Sequence, residues 1–320
     1  MEGLRAQADA AFMELDFARV PSEHELITVT CGESIQVNKV SMPISDIVLA
    51  AQAGAPPARS FRLAKINVRN NDPSRPWRCL NASKEEVLQL WRAFDLDPYQ
   101  LYLFSRCVRG FQQLHIPGSR PDKQHYFANY DSHCLAWTYD VASATSNGVI
   151  VVRRRPAHEY GAFSQWFRLL SRYGDLVGHP LYPLLVSTAQ ILEFVYFKIE
   201  KVQAAIRAVE SVSGFHPWHD RGRLLVGIDG DELDELSVAS RNAGAVMIEL
   251  EDILRQVKLS QRTGSAFDEP TPLENTTLQS LARDMEPAVY ILSKQLDSAE
   301  DVIQYLRGRA TTQLNVVSLL

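Results

Sequence analysis

The chain has 320 residues, 46% of them hydrophobic and 22% charged, enough to bury a substantial core and to suggest about two domains. A formal charge of -5 and a pI near 5.9 exclude the clustered basic surface that holds nucleic acid. Four widely spaced cysteines with no Cys-x-x-Cys pair, no basic-then-apolar leader and no run of about eighteen apolar residues argue against a zinc finger, against secretion and against a membrane span, so the chain reads as a reduced, cytoplasmic protein.

The first half mixes strand and helix signals. Leu26 to Thr30 and Ser34 to Val40 read as short strands around a Cys31-Gly32 turn, and Arg62 to Val68 alternates as a third. Asn70 to Pro76 is a loop by composition. Ser83-Lys84-Glu85-Glu86 is a capping box, and Val87, Leu90, Trp91 and Phe94 share one face of the helix it starts. A second short helix is expected around Pro98 to Arg106. Gln124 to Asn129, Ser132 to Asp140 and Val149 to Arg154 then read as successive strands, the last two joined across a turn region from Ser143 to Gly148. The basic run Arg153-Arg154-Arg155 is the solvent end of the last strand. In the middle strand His133, Leu135, Trp137 and Tyr139 fall on one face, with Ser132, Cys134, Ala136 and Thr138 on the other.

From about residue 177 the period changes. Leu181, Leu185, Thr188, Leu192, Val195, Ile199, Val202, Ile206 and Val209 form one heptad stripe that ends near Ser213-Gly214. Leu233, Leu236, Ser240, Ala243, Met247, Leu250, Leu254 and Val257 form a second. A third runs from Leu278 to Leu320 with only Gln313 polar, over a coiled-coil-like helix on the order of 60 Å long. Pro287 predicts a late start or a kink in that helix, and the stripe past Arg309 is expected to lie uncovered. The fold class that follows is an α+β or α/β domain with a mixed sheet over residues 1–176, then an all-α antiparallel bundle of long heptad helices over 177–320.

An α/β half, then His179-Pro180-Leu181 opening a long helix, then two more long helices ending in Leu306-Arg307-Gly308-Arg309-Ala310-Thr311-Thr312-Gln313-Leu314, resembles the cytosolic part of fungal CorA-like proteins, distant relatives of the CorA magnesium-transporter family. The likeness covers most of the chain, chiefly from Val87 onward, and rests on order and helix texture. Transporting members of that family continue into membrane helices and carry a Gly-Met-Asn signature, which this sequence lacks. The resemblance therefore implies a domain that does not transport by itself. Either it is the soluble portion of a longer protein, or the pore has been lost.

Three polar clusters could carry chemistry. Asp229, Asp231, Glu232 and Asp234 are hard oxygen ligands suited to Mg2+, which the resemblance makes the natural candidate, although carboxylates at a helix start complement its dipole without any metal. His133, Tyr139 and Trp137, with His125, Tyr126 and Asp131 nearby, are the catalytic candidates. Their plain reading is sheet core, and Tyr160, Trp166 and Phe167 are candidates to cover them. His216-Pro217-Trp218-His219-Asp220 offers two imidazoles and a carboxylate, with an interhelix loop as the simpler account. No nucleophile elbow, Walker loop or dinucleotide fingerprint occurs.

Two functions stay open. One is a regulatory or oligomerising domain, a homo-oligomer through its long helices that senses a divalent cation. The other is a small-molecule-binding protein or biosynthetic enzyme, its ligand cyclised or isomerised in an aromatic pocket on a repurposed scaffold.

Overall fold

The computed structural model describes residues 7, 10–18, 23–53, 59–68, 79–115, 122–152, 164–213, 230–267 and 276–318. In chain order they form β1 (Asp16–Phe17), β2 (His24–Cys31), β3 (Ile35–Met42), α1 (Ile44–Gln52), β4 (Ser60–Asn67), β5 (Cys79–Leu80), α2 (Lys84–Ala93) and α3 (Pro98–Ser105). There follow β6 (Gly110–Leu114), β7 (Lys123–Asn129), β8 (His133–Asp140), β9 (Thr145–Val152), α4 (Ser164–Arg172), α5 (Tyr182–Ser213), α6 (Gly230–Gly264) and α7 (Thr276–Ser318). An N-terminal α+β domain thus precedes a bundle of long helices. Contacts divide the chain into two compact units, one of Met1–Gln190 with Arg262–Val289, the other of Ile191–Gln261 with Tyr290–Leu320.

The first unit is built on a seven-stranded sheet in the order β3-β2-β4-β9-β8-β7-β6. Every neighbouring pair is antiparallel except β4 and β9. A parallel pair cannot close with a tight turn, and the chain between these two strands includes α2, α3 and the β6–β8 meander. On one face Ala64, Ile66, Phe127, Cys134, Ala136, Val149 and Val151 pack under α1, α2 and α3 in a single buried cluster. The capping box at Ser83 is present, with Ser83 Oγ accepting from the Glu86 N–H at 3.2 Å and Glu86 Oε2 accepting from the Ser83 N–H at 2.7 Å. A second box at Asp97 starts α3, and its Gln100 also donates from Nε2 to the carbonyls of Tyr126 and Trp137, tying that helix to β7 and β8.

One sequence expectation changes here. The supposed turn over Ser143 to Gly148 is mostly strand, because β9 begins at Thr145 and the reversal occupies residues 141–144. Thr-Ser-Asn-Gly has turn composition, but Gly148 is needed for another reason. It lies opposite Trp137, and a Cβ there would meet the Ala136 carbonyl oxygen at 2.8 Å and Trp137 Cβ at 2.9 Å.

In the second unit the helices run up, down and up. Tyr196 donates to the Gln295 carbonyl, Ser213 to Gln313 and Arg309 to Glu210, offsets of 99, 100 and 99 residues, so α5 and α7 are parallel in constant register. Gln261 donates to Glu300 while Arg307 pairs with Glu251, so α6 runs antiparallel to α7. The α6 stripe is offset from expectation. Ala239, Val246 and Ile253, rather than Ser240, Met247 and Leu254, complete it with Leu236, Ala243, Leu250 and Val257. Two seams share those four positions, and the one used is the more uniformly apolar.

Two expectations for the last helix are corrected. α7 begins at Thr276, eleven residues before Pro287, and continues helically across it, so there is no late start. The stripe also stays covered from Arg309 as far as Leu314, with Ala310 and Gln313 both 1% exposed and Leu314 packed on Val209, Ala239 and Ala243, while the side chains of Val317 and Leu320 lie outside the described residues. The lone polar residue of the stripe explains part of this, because Gln313 accepts a 2.6 Å bond from Ser213 inside the bundle. Beside it the 2% exposed Glu210 carboxylate takes a two-pronged contact from Arg309 at 3.0 and 2.5 Å. Among the described residues no helix is long and apolar enough to cross a membrane.

Candidate functional site

The three catalytic candidates do share a face of β8. His133, Trp137 and Tyr139 are 2%, 0% and 0% exposed. Trp137 stacks on Tyr126 at 5.1 Å, Phe111 lies 6.2 Å from Trp137 and 6.1 Å from Tyr126, and the Trp166 ring lies 6.0 Å from His133. Phe167 is half-buried with the Lys39 ammonium over its ring, while Tyr160 lies outside the described residues.

Their polar atoms are spent inside the protein. Trp137 Nε1 donates to the Pro180 carbonyl at 2.9 Å, and the Tyr139 hydroxyl to the Gly178 carbonyl at 3.0 Å. His133 joins Ser187 Oγ through Nε2 at 3.1 Å and Ser132 Oγ through Nδ1 at 2.9 Å. These bonds fasten the stretch Gly178 to Ser187, which opens α5, onto the sheet. Burial pushes the Tyr139 and Tyr126 phenols far above their ordinary range and brings Tyr130 up to about 12. His179, at the turn itself, is brought down to about 4 by burial, and its Nδ1 accepts from the Leu181 N–H at 3.1 Å. The Ser187–His133 contact was not visible in sequence, because the two residues lie 54 apart. It has the reach of a nucleophile and base, but Ser187 is 0% exposed and a serine rather than a carboxylate sits on Nδ1. A ligand reaching these groups has to displace the Gly178 to Ser187 segment.

The acidic candidates lie elsewhere. Asp231, Glu232 and Asp234 fall in the first turns of α6; Asp234 is exposed, and the side chains of Asp231 and Glu232 lie outside those described. Asp229 lies outside the described residues, as do Arg153-Arg154-Arg155 and His216 to Asp220. Among the described residues no three His, Cys, Asp or Glu side chains converge to hold a metal ion. Asp131 is paired with Arg109 at 3.1 Å.

Sequence reasoning missed the other face of the sheet. There Arg62, Asn147, Thr138 and His125 are successive cross-strand partners on β4, β9, β8 and β7, forming one polar row. Ser60, Thr145, Asp140 and Lys123 form the next. The following row, Ala64, Val149, Ala136 and Phe127, is wholly apolar. Arg62 Nε donates to Asn147 Oδ1 at 2.7 Å, His125 Nδ1 and Thr138 Oγ1 are 3.2 Å apart, and Ser143 Oγ and Thr145 Oγ1 are 2.7 Å apart. Phe94 and Asp95, from the link after α2, join Lys123, Thr138, Asp140, Thr145 and Asn147 around a cavity of about 400 Å³, whose lining does not include Arg62, His125 or Ser60. Thr138 donates to the Asp95 carbonyl at 2.9 Å, and the Asp95 carboxylate pairs with Lys123. Burial lowers the pKa of both Arg62 and His125, the latter against the pull of Asp97 and Asp95. The signal that could have found this site was a polar start to β4, β7 and β9 and a polar end to β8, all on the same face. Reading it requires the strand register.

No family model matches the chain, and no curated protein matches its sequence.

Proposed function

We propose that this chain is a CorA-like regulatory domain that works by self-association of its long helices and does not itself catalyse a reaction. One observation carries the reading. Of the nine large hydrophobic side chains exposed among the described residues, six (Val212, Val238, Ile248, Tyr290, Ile291 and Tyr305) lie on α5, α6 and α7. Ile291 and Tyr305 are two heptads apart on α7, on the side away from its buried stripe, so their exposure is not left over from an incomplete bundle. A second copy is the proposed cover. The order of an α+β domain followed by three long helices supports the CorA-like assignment, and the commitment of His133, Trp137 and Tyr139 to internal bonds supports a non-catalytic role.

The proposed input is a divalent cation, magnesium first, at the acidic start of α6, since carboxylates are its usual protein ligands. Light scattering across protein concentration, with and without millimolar magnesium, tests both parts. A mass that rises above the monomer and shifts with the cation is expected, and I291K with Y305K should abolish the rise. A strict monomer at every concentration overturns self-association. An oligomer indifferent to magnesium overturns the cation input alone.

A further inference from the structure

We propose that the two polar rows beneath Asp95 form a binding site for a neutral, polyhydroxylated small molecule of about monosaccharide size. This goes beyond the self-association reading and stands on separate residues.

The first ground is bonding capacity left over in a largely buried place. Thr138 and Thr145 are 3% and 2% exposed, and His125 is 7% exposed. A sheet face that served only as core would continue the apolar row of Ala64, Val149, Ala136 and Phe127, because burying hydroxyls, an amide and charges without partners is costly. Here the rows keep unspent atoms. The Asn147 carbonyl is taken by Arg62, while its amide nitrogen has no hydrogen bond among the described residues. Asp140 accepts the Ser143 N–H at 3.0 Å through one oxygen, and the carboxylate has no ion-pair partner among the described residues. Lys123 is the more enclosed member of its pair, at 19% side-chain exposure against 63% for Asp95. Donors and acceptors therefore alternate across adjacent strands, at the sheet's spacing of about 4.8 Å. Hydroxyl groups, which both donate and accept, match such a lining from any side.

Charge selects among polar ligands. The cavity is lined by one cation, Lys123, and two carboxylates, Asp95 and Asp140, a formal sum of -1 in which Lys123 and Asp95 are already paired with each other. An inorganic phosphate in the cavity would face two carboxylates, and a divalent metal would find one carboxylate not paired with Lys123 and, among the described residues, no three ligating side chains converging on it. Neither gains the surplus counter-charge that offsets its loss of hydration. A neutral polyol has no such need. Backbone conformation points the same way, since Asp95, which lines the cavity, holds a left-handed φ of 54°. A strained non-glycine backbone at a ligand clamp is a common way of holding side chains in place.

The test uses the full chain and five probes, glycerol, xylose, glucose, mannose and myo-inositol, followed by saturation-transfer NMR and thermal shift. Magnesium chloride and sodium phosphate serve as competitors. At least one polyol should bind saturably with a Kd of about a millimolar or tighter. A142W, an added ring at an exposed rim position, should weaken it at least about tenfold without changing the far-ultraviolet spectrum. If A142W alters that spectrum, D140N takes its place with the same expectation. No saturable binding by any of the five, binding unchanged in the rim variant, or displacement by phosphate or magnesium each overturns the proposal. Self-association measured on the same samples is expected to be unaffected by A142W, so this site and the helix interface can fail independently.

Discussion

The two faces of the central sheet carry similar numbers of conspicuous polar residues and use them in opposite ways. On the aromatic face His133, Trp137 and Tyr139 are bonded to Ser187, Pro180 and Gly178, so their polarity positions a helix. On the opposite face Asn147 and Asp140 retain unspent atoms around a cavity of about 400 Å³. A cluster of His, Trp and Tyr is chemically suggestive in a sequence, yet what separates a lock from a site is whether the hydrogen-bonding capacity is exhausted.

The largest effect is expected on the aromatic face. Trp137→Ala removes a fully buried indole and its bond to the α5 turn, and should cost about 3–5 kcal/mol in urea unfolding. A loss below about 1 kcal/mol, the scale of an ordinary surface change, would break the comparison by showing that the Gly178 to Ser187 segment is not held from this side.

Acid should act on the same lock. His179 is neutral in the folded protein down to about pH 4, whereas in the unfolded chain it titrates near 6.5. Between those values the unfolded state binds the extra proton, so stability is complete above 6.5 and falls as the pH drops toward 4, by up to about 3 kcal/mol. His24 and His125 are shifted in the same direction by burial and add to the loss. Urea midpoints measured across that range check it, with H179Q as the control. If the wild-type slope persists in H179Q, the lock is not where the proton enters.

Gly148→Ala sharpens the comparison at the strand that serves both faces. Its new Cβ enters the space held by Trp137 Cβ and the Ala136 carbonyl, and should cost about 1–3 kcal/mol through displacement of the indole. Near-ultraviolet circular dichroism should report the moved ring. An unchanged aromatic signal with unchanged stability would mean the sheet can open locally at this pair.

Most of the architecture was legible in sequence because it follows from periodicity. Heptad stripes gave three long helices, and the Ser83 box gave the start of α2, since both signals are local. The seam of α6 was not settled locally, as Leu236, Ala243, Leu250 and Val257 belong to either of two stripes and only the packed bundle chooses. The polar rows were hidden by a different cause. Thr145-Ser146-Asn147-Gly148 reads as a turn when taken alone, and becomes a strand only through its pairing with β4 and β8. Arg62 and Asn147 are 85 residues apart and adjacent in space, so no local pattern links them.

The smallest predicted effect is also the one that decides whether the two faces differ. Thr145 is 2% exposed, and its hydroxyl meets Ser143 Oγ at 2.7 Å. Thr145→Val keeps the shape of the side chain and removes that hydroxyl, while the partly exposed Ser143 can turn to water, so the loss of stability should stay below about 1 kcal/mol. Were the row a structural network as tight as the one around His133, removing a buried partner would leave an unsatisfied acceptor and cost about 1–3 kcal/mol instead. Urea unfolding of T145V beside S187A makes the comparison direct. Ser187 is fully buried against His133, so S187A should be the more destabilised of the two. Equal losses would place both faces in the same class, as internal locks. A small loss in T145V together with a large one in S187A is what a face built for a ligand, opposite a face built for a helix, requires.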